Sequence, residues 1–112
     1  MNSSINFEEL QDNVTQAVGL IKSLANESRL MIMCVLSDGE LSVGAMNERI
    51  PLSQSALSQH LALLREKGLV TTRRESQTIY YSLSDSHAVE LIKKLHDIYC
   101  GSSKNGRKEA SC

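Results

Sequence analysis

Two short helical segments joined by a tight connection constrain the fold of this chain more than any other feature of its sequence. The first segment spans residues 43–49 after the N-cap Ser42, and Pro51 stops it because proline disfavours helical geometry in the residue before it. The second segment spans residues 54–67 after the N-cap Ser53. Two short helices with so little chain between them are the sequence outline of a helix-turn-helix.

The spacing of the apolar residues changes from a helical to an alternating pattern directly after this pair of helices. Residues 69–72 and 78–83 are rich in β-forming side chains, and several of these can alternate onto one face. The alternating residues are Val70, Thr72, Ile79, Tyr81 and Leu83. The polar residues 73–77 lie between the two segments. The pattern therefore predicts a β-hairpin with a charged tip, which is called a wing when it follows a helix-turn-helix.

Three further helices are predicted around this centre. Apolar residues recur at helical spacing from about residue 7 to 24, and Asn26 offers an N-cap for a helix that ends at Ser37-Asp38-Gly39. Ser84 is placed to cap a last helix, with Asp85 in its first turn. The apolar face of that last helix contains Val89, Ile92, Leu95 and Tyr99.

The complete order predicts a mainly α protein with a β-hairpin wing, that is, a winged helix-turn-helix with five helices. Residues 1–101 form one DNA-binding and dimerisation domain in this prediction, and the polar residues 102–112 form a disordered tail. The first and last helices carry more apolar surface than a small core needs. We therefore expect them to join two copies of the chain in a homodimer, which buries apolar area that one small domain leaves exposed.

The polar face of the helix at residues 54–67 carries side chains suited to DNA. Its leucines point to one side, and amide, hydroxyl and guanidinium groups lie mostly on the other: Gln54, Ser55, Ser58, Gln59 and Arg65. Amides and hydroxyls bind base edges in the major groove, mainly from the N-terminal half of a recognition helix. Arg73 and Arg74 at the wing suit phosphates or an adjacent minor groove. His60 either faces the DNA or lies half-buried beside the leucines.

The charge balance and the cysteine count limit the function classes. The formal net charge is −1 at pH 7, so DNA contact depends on a local group of basic residues such as residues 65–74. Neither a secretory signal nor an apolar run of roughly 18 residues is visible, which predicts a cytoplasmic protein. Three cysteines in such a protein are inert or reactive thiols and not a disulfide framework. Without a C-x-x-C motif, a phosphate loop, a nucleophile elbow or a paired metal-histidine motif, neither an enzyme nor a cofactor is expected.

Three segments together resemble the ArsR/SmtB family of winged-helix repressors, over residues 18–100. They are LANESRLMIMCVL in the second helix, LSQSALSQHLALLREKGLV around the fourth, and TTRRESQTIYYSL at the wing. Within the family, the segments QSALSQHL and IYC and the cysteine of the second helix are most similar to the thiol-sensing HlyU/BigR/SqrR branch. The resemblance implies a dimer joined by its first and last helices, bound to an operator of double-stranded DNA.

The same resemblance implies which residues sense the signal. In the thiol-sensing branch, the cysteines corresponding to Cys34 and Cys100 meet and are oxidised or bridged by extra sulfur. A reactive sulfur species or an oxidant is therefore expected as the inducer of a repressor, or of an anti-repressor that displaces another protein from DNA. Whether the bridge is a disulfide or a longer sulfur chain stays open. Cys112 in the tail is expected to be an incidental exposed thiol.

A metal-responsive repressor of the zinc type is the alternative. Metal-sensing relatives carry paired cysteines in the third helix, where this chain has Ser42 and Gly44. Other relatives bind zinc through two motifs on the last helix. Asp85-Ser86-His87 matches the first motif, but the second falls on Ile98 and Gly101, whose side chains cannot ligate zinc. No metal ligands are therefore assigned.

Overall fold

The computed structural model describes residues 6–84 and 87–101 of the chain. Within these ranges it contains α1 Phe7–Leu24, α2 Glu27–Leu36, β1 Leu41–Ser42, α3 Val43–Arg49, α4 Gln54–Glu66, β2 Val70–Glu75, β3 Thr78–Leu83 and α5 His87–His96. A π-helical turn, Asp97–Gly101, continues α5. The order confirms the predicted winged helix-turn-helix with five helices. None of the helices in the described ranges is long and apolar enough to cross a membrane.

Side chains in front of four helices determine where these helices begin. Asn6, Asn26, Ser42 and Ser53 each accept a hydrogen bond from the backbone N–H three residues further on, at 3.0–3.1 Å. Such an N-cap satisfies an amide that the first helical turn leaves without a partner. The caps predicted at Asn26, Ser42 and Ser53 are confirmed, and Asn6 adds a fourth.

α4 ends at a glycine, as its sequence predicts. Gly68 has φ +76, a left-handed conformation that glycine adopts without the steric cost other residues incur. Its N–H donates to the Arg65 carbonyl at 3.0 Å, and the Leu69 N–H reaches back to the Leu64 carbonyl at 2.9 Å. This pair of hydrogen bonds is a Schellman motif, and it turns the chain from α4 directly toward β2.

β3 lies between β2 and β1 in a three-stranded antiparallel sheet. The register pairs Val70 with Leu83 and Thr72 with Tyr81, so the predicted alternating face of the hairpin is confirmed. β1 adds Leu41 opposite Tyr81 on the other side of β3. Because a strand of two residues shows no alternation in the sequence, β1 is absent from the prediction.

The hairpin is longer and its tip is shorter than predicted. Residues 73–75 belong to β2, because they pair with residues 78–80 of β3. The turn between the strands contains Ser76, with φ 60, and Gln77. The prediction of a charged tip over residues 73–77 is therefore wrong. The two arginines lie within the strand, where consecutive side chains point to opposite faces.

Ser84 also has contacts that the sequence does not predict. The described part of α5 spans His87–His96, and the predicted cap at Ser84 involves residues 85–86, which lie outside the described residues. The Ser84 hydroxyl donates to the Gly68 carbonyl at 2.6 Å, and its N–H donates to the Leu69 carbonyl at 3.1 Å. Ser84 thus ties the end of β3 to the chain that enters β2. The predicted role of Asp85 lies outside the described residues.

The core lies between the inner face of α4 and the elements around it. Leu57, Leu61 and Leu64 of α4 have no exposed surface. Residues from α2, α3, β2 and α5 share this core: Ile32, Met33, Met46, Val70 and Ile92. Burial of a side chain of this size contributes roughly 1.5–3 kcal/mol. The core therefore holds α4 by one face and leaves the opposite face to solvent.

α1 contributes little to this core, since Ser23 and Leu24 are its buried residues. Five apolar side chains of α1 form a stripe and are 40–67% exposed: Phe7, Leu10, Val14, Val18 and Ile21. The predicted apolar face of the last helix is divided, because Ile92 is buried in the core whereas Tyr99 is 79% exposed. One protomer therefore leaves apolar surface uncovered on α1 and after α5.

Candidate DNA-binding surface and thiol pair

The outer face of α4 is polar and open to solvent. Its exposed residues include Gln54, Ser55, Ser58, Gln59 and Arg65. Ser55, Ser58 and Gln59 point away from the buried leucines, whereas Gln54 and Arg65 border the leucine face, because side chains three and four residues apart share one face of a helix. The N-terminal half of this face contains amide and hydroxyl groups that donate and accept hydrogen bonds, which is the chemistry that base edges in a major groove require.

His60 lies at the border between the two faces of α4. Its side chain is partly buried. Intermediate exposure is compatible with both positions that the sequence leaves open for it, beside the leucines or facing DNA. His60 therefore borders the exposed face of α4 but is not one of its fully exposed residues.

The joint between α3 and α4 is held by hydrogen bonds within the connection itself. The Asn47 side-chain amide donates to the Leu52 carbonyl at 2.7 Å, and the Leu52 N–H donates to the Ile50 carbonyl at 2.8 Å. These bonds hold the angle at which α3 meets the N-terminus of α4. Asn47 is a positioning residue absent from the sequence prediction, and its signal is an amide in a short helix just before a tight turn.

Arg73 is held on one face of the wing by several polar contacts. Its Nε donates to both carboxylate oxygens of Glu40 at 3.0 Å, and one of its Nη atoms donates to Glu40 Oε1 at 2.6 Å. The other Nη donates to Glu75 at 3.0 Å. The guanidinium also lies over the Tyr80 ring, 4.7 Å from its centroid. Hydrogen bonding from Arg73 holds the pKa of Glu40 below its usual value, and the two carboxylates raise the pKa of Arg73.

Arg74 has none of these contacts. It is exposed, and no ion pair or hydrogen bond of its side chain occurs within the described part of the chain. The register puts it on the hairpin face that also contains Tyr81. Tyr81 borders a shallow depression together with Ser58 and Arg65 of α4. Arg74 therefore lies on the side of the wing that continues the exposed face of α4.

Cys34 lies on α2 and contacts the core. Its side chain is partly buried and packs against the buried cluster around α4. Burial raises the pKa of its thiol above the ordinary value of 9.0, because the thiolate is less well solvated there. The Cys34 carbonyl accepts hydrogen bonds from the Ser37 hydroxyl at 2.6 Å and from the Ser37 N–H at 3.1 Å, where α2 ends.

Cys100 belongs to the π-helical turn Asp97–Gly101, which continues α5. α5 contacts α2, so the two helices associated with the predicted thiol pair adjoin each other. π-Helical turns are rare and occur frequently at functional sites. The third cysteine, Cys112, lies outside the described residues.

The structure adds no ligands to the zinc half-site considered from the sequence. His87 is exposed, and its Nδ1 lies 4.0 Å from Glu90 Oε1. Asp85 lies outside the described residues. Among residues 6–84 and 87–99, whose side chains the structure describes, no group of three or more histidine, cysteine, aspartate or glutamate residues is arranged to hold a metal ion.

A helix-turn-helix whose second helix presents a polar face, followed by a wing with an exposed arginine, defines the class as winged-helix DNA-binding regulators of transcription. Residues 26–72 match the arsR family of bacterial regulatory proteins. The transcriptional activator HlyU of Vibrio cholerae serotype O1 is 53% identical over 96 residues, which cover 86% of this chain and 89% of that protein. The chain belongs to the arsR family, and the predicted family is confirmed.

Solved structures of two relatives share the fold. Reduced HlyU from Vibrio cholerae N16961 matches with a TM-score of 0.80 at 54% identity, covering 83% of this chain and 98% of that one. The transcriptional repressor BigR from Xylella fastidiosa matches with a TM-score of 0.80 at 37% identity, covering 88% and 98%. These relatives are transcription regulators, which confirms the prediction of a regulator and not an enzyme.

Proposed function

We propose that this regulator binds a double-stranded DNA operator as a homodimer and that a bridge between Cys34 and Cys100 switches this binding. The observation that carries the proposal is the contact between α2, which holds the half-buried Cys34, and α5, whose continuation contains Cys100. α2 also contacts α4. A covalent link between α2 and the end of α5 therefore acts on a helix that directly supports the DNA-facing one.

The DNA-binding part of the proposal uses the exposed face of α4. The N-terminal half of α4 enters the major groove, and its polar residues contact base edges: Gln54, Ser55, Ser58 and Gln59. Arg65 on α4 and Arg74 on the wing contact phosphates. Because the formal net charge is −1, these local cations supply the electrostatic attraction to DNA.

The homodimer part rests on the exposed apolar stripe of α1 and on the exposed Tyr99 after α5. A second copy of the chain covers this surface, because soluble monomers rarely expose large contiguous apolar patches. A two-fold dimer presents its two α4 helices to half-sites about 34 Å apart. Both helices must keep this spacing, so a small change at the interface weakens binding to the whole operator.

With a persulfide donor, R–S–SH, the bridge forms in two displacement steps. The Cys100 thiolate attacks the terminal sulfur and releases R–S⁻, which leaves a persulfide on Cys100. The Cys34 thiolate then attacks the Cys100 sulfur, and HS⁻ leaves. The donor is reduced to a thiol and hydrogen sulfide, while the two cysteines together lose two protons and two electrons. Cys34 acts second because burial raises its thiol pKa and lowers its thiolate fraction at neutral pH.

The direction of regulation depends on the promoter and not on this chemistry. The relatives include HlyU, which is named an activator, and BigR, which is named a repressor. A repressor releases its promoter in the bridged state, whereas an anti-repressor then no longer displaces a competing protein. A repressor and an anti-repressor both act on promoter DNA, so the cytoplasm is the proposed location.

The experiment that tests the switch is a non-reduced intact-mass measurement with peptide mapping, after the fully reduced protein is treated with a persulfide donor. The expected product is a bridge between Cys34 and Cys100, as a disulfide or with inserted sulfur. Cys112→Ser is the matched control and should form the same bridge. Cys34→Ser and Cys100→Ser should each form none.

The reduced and bridged forms are then titrated on one duplex, which the reduced protein enriches from a random-sequence library. Different affinities of the two forms support the switch, because only differential affinity shifts a binding equilibrium between two states. Two unmodified thiols after treatment refute the thiol switch. Zinc titration then tests the metal-responsive alternative.

A further inference from the structure

We propose that Glu40 is a positioning residue for DNA binding: it holds the wing through Arg73, so that Arg74, and not Arg73, contacts the DNA backbone. This inference rests on the proposed DNA-binding surface and gives two neighbouring arginines different roles. From the sequence alone, both carry the same expectation of a phosphate or minor-groove contact. In the structure, the two arginines lie on opposite faces of the wing. Arg73 is paired with Glu40, which lies next to the helix-turn-helix, whereas Arg74 has no ion pair within the described residues.

The two arginines lie on opposite faces of the wing, because consecutive side chains of a strand alternate. Arg74 shares its face with Tyr81. Tyr81 borders the depression next to the exposed face of α4. Arg73 lies on the other face, opposite Tyr80 in the register and in contact with Glu40. The DNA-facing surface therefore continues onto the face of Arg74 and away from that of Arg73.

All three nitrogens of the Arg73 guanidinium already donate to carboxylates. Its Nε and one Nη hold Glu40, and its other Nη holds Glu75. The Tyr80 ring covers one side of its plane. Its two remaining N–H donors lie on nitrogens that already hold a carboxylate, so a phosphate that reached them would lie close to negative charge. The group as a whole also combines one positive and two negative charges, which makes it a poor phosphate site.

Glu40 is placed to hold the wing relative to the helix-turn-helix. It directly precedes β1, whose second residue, Ser42, is the N-cap of α3. The ion pair thus joins the start of the helix-turn-helix to β2. An arginine that contacts a carboxylate through two nitrogens fixes geometry as well as adding attraction. Because both side chains are partly exposed, the expected effect is on the position of the wing more than on global stability.

The test compares Glu40→Gln with Glu66→Gln. Glu66 is an exposed residue of α4 without an ion pair in the described part of the chain, so each variant loses one carboxylate charge. The probe is the duplex that the wild-type protein enriches from a random-sequence library. Loss of a negative charge alone tightens binding to DNA in both variants. The positioning role instead predicts that Glu40→Gln binds at least about threefold more weakly than the wild-type protein, whereas Glu66→Gln binds at least as tightly as the wild type.

The salt dependence of binding separates the two arginines. Arg74→Ala should reduce the slope of log K against log salt by about 0.9, the value for one lost phosphate contact. Arg73→Ala should weaken binding and leave the slope unchanged. The double variant with Glu40→Gln should bind no more weakly than Arg73→Ala alone, because both changes break one ion pair. Binding by Glu40→Gln that is as tight as or tighter than that of the wild-type protein, or a reduced slope for Arg73→Ala, overturns the proposal.

Amide hydrogen exchange on the free protein tests the same contact without DNA. In Glu40→Gln, the amides of residues 73–75 should exchange at least about threefold faster than in Glu66→Gln, at an equal midpoint of thermal unfolding. Equal exchange rates overturn the positioning role. If the wild-type protein enriches no duplex, the proposed DNA-binding function fails, and the exchange measurement alone then decides whether Glu40 holds the wing.

Discussion

Replacement of Gly68 by alanine tests the account of how α4 ends. Gly68 has φ +76, and a left-handed backbone costs an alanine about 1–2 kcal/mol. No heavy atom lies within 4 Å of the position that an added Cβ would take, so no steric contact increases this cost. Alanine also lowers the conformational entropy of the unfolded chain, which offsets about 0.4–1 kcal/mol of this cost. We expect the free energy of unfolding to fall by about 1 kcal/mol.

Gly44→Ala is the matched control, because the chemical change is the same and only the backbone conformation differs. Gly44 is an exposed residue of α3 without a positive φ, and it too has nothing within 4 Å of an added Cβ. Alanine is more favourable than glycine in a helix by about 0.5 kcal/mol or more. This variant should therefore be more stable than the wild type, and the two variants should differ by about 1.5 kcal/mol.

Urea unfolding followed by circular dichroism measures both variants. The protein concentration is kept constant, because dimerisation makes the apparent stability depend on it. For a domain of this size, a difference of about 1.5 kcal/mol corresponds to about 6–12 °C in Tm. A Gly68→Ala variant at least as stable as the wild type would refute the reasoning, as would a shift of both variants in the same direction.

Other perturbations test the remaining surfaces. Val14→Glu puts a charge into the apolar stripe of α1 and should give a monomer in sedimentation velocity, whereas Gln16→Glu on the other side of α1 should leave the dimer intact. A dimer in both cases would remove α1 from the interface. Gln59→Ala should lose about 1–3 kcal/mol of discrimination between the enriched duplex and a random one in competition titrations, and an unchanged preference would exclude Gln59 from base contact. Cys34 should react with iodoacetamide more slowly at neutral pH in the folded protein than in the urea-unfolded chain, because its folded pKa lies above 9.0. As the pH rises through 9.0 the unfolded thiol ionises first, so the contribution of this thiol to stability is present below that pH and is lost above it. Equal alkylation rates in the two states would contradict this assignment.

Local interactions explain why so much of the helical structure is predictable. Asn26, Ser42 and Ser53 each cap a helix through an amide only three residues further on. Gly68 ends α4 through the conformational freedom of its own backbone. In each case the residue type at one position and its immediate neighbours are sufficient for the prediction.

The contacts absent from the sequence analysis concern residues whose partners lie far along the chain. Ser84 donates to the carbonyl of Gly68 and therefore joins the end of β3 to the chain that enters β2. Arg73 is paired with Glu40 across a separation of 33 residues, through a strand too short to be visible in the sequence. No local pattern contains these contacts, because each depends on how β1, β2 and β3 assemble.

Periodicity and capping residues alone were sufficient to predict the helix-turn-helix, the hairpin and the buried leucine side of α4. The sequence motifs were sufficient to predict the family. The packed domain decided that Ile92 is buried in the core while the stripe of α1 stays exposed. It also decided that two consecutive arginines have different surroundings. The physical reason is that helical period and caps arise within a few residues, whereas burial and ion pairing depend on which distant elements pack together.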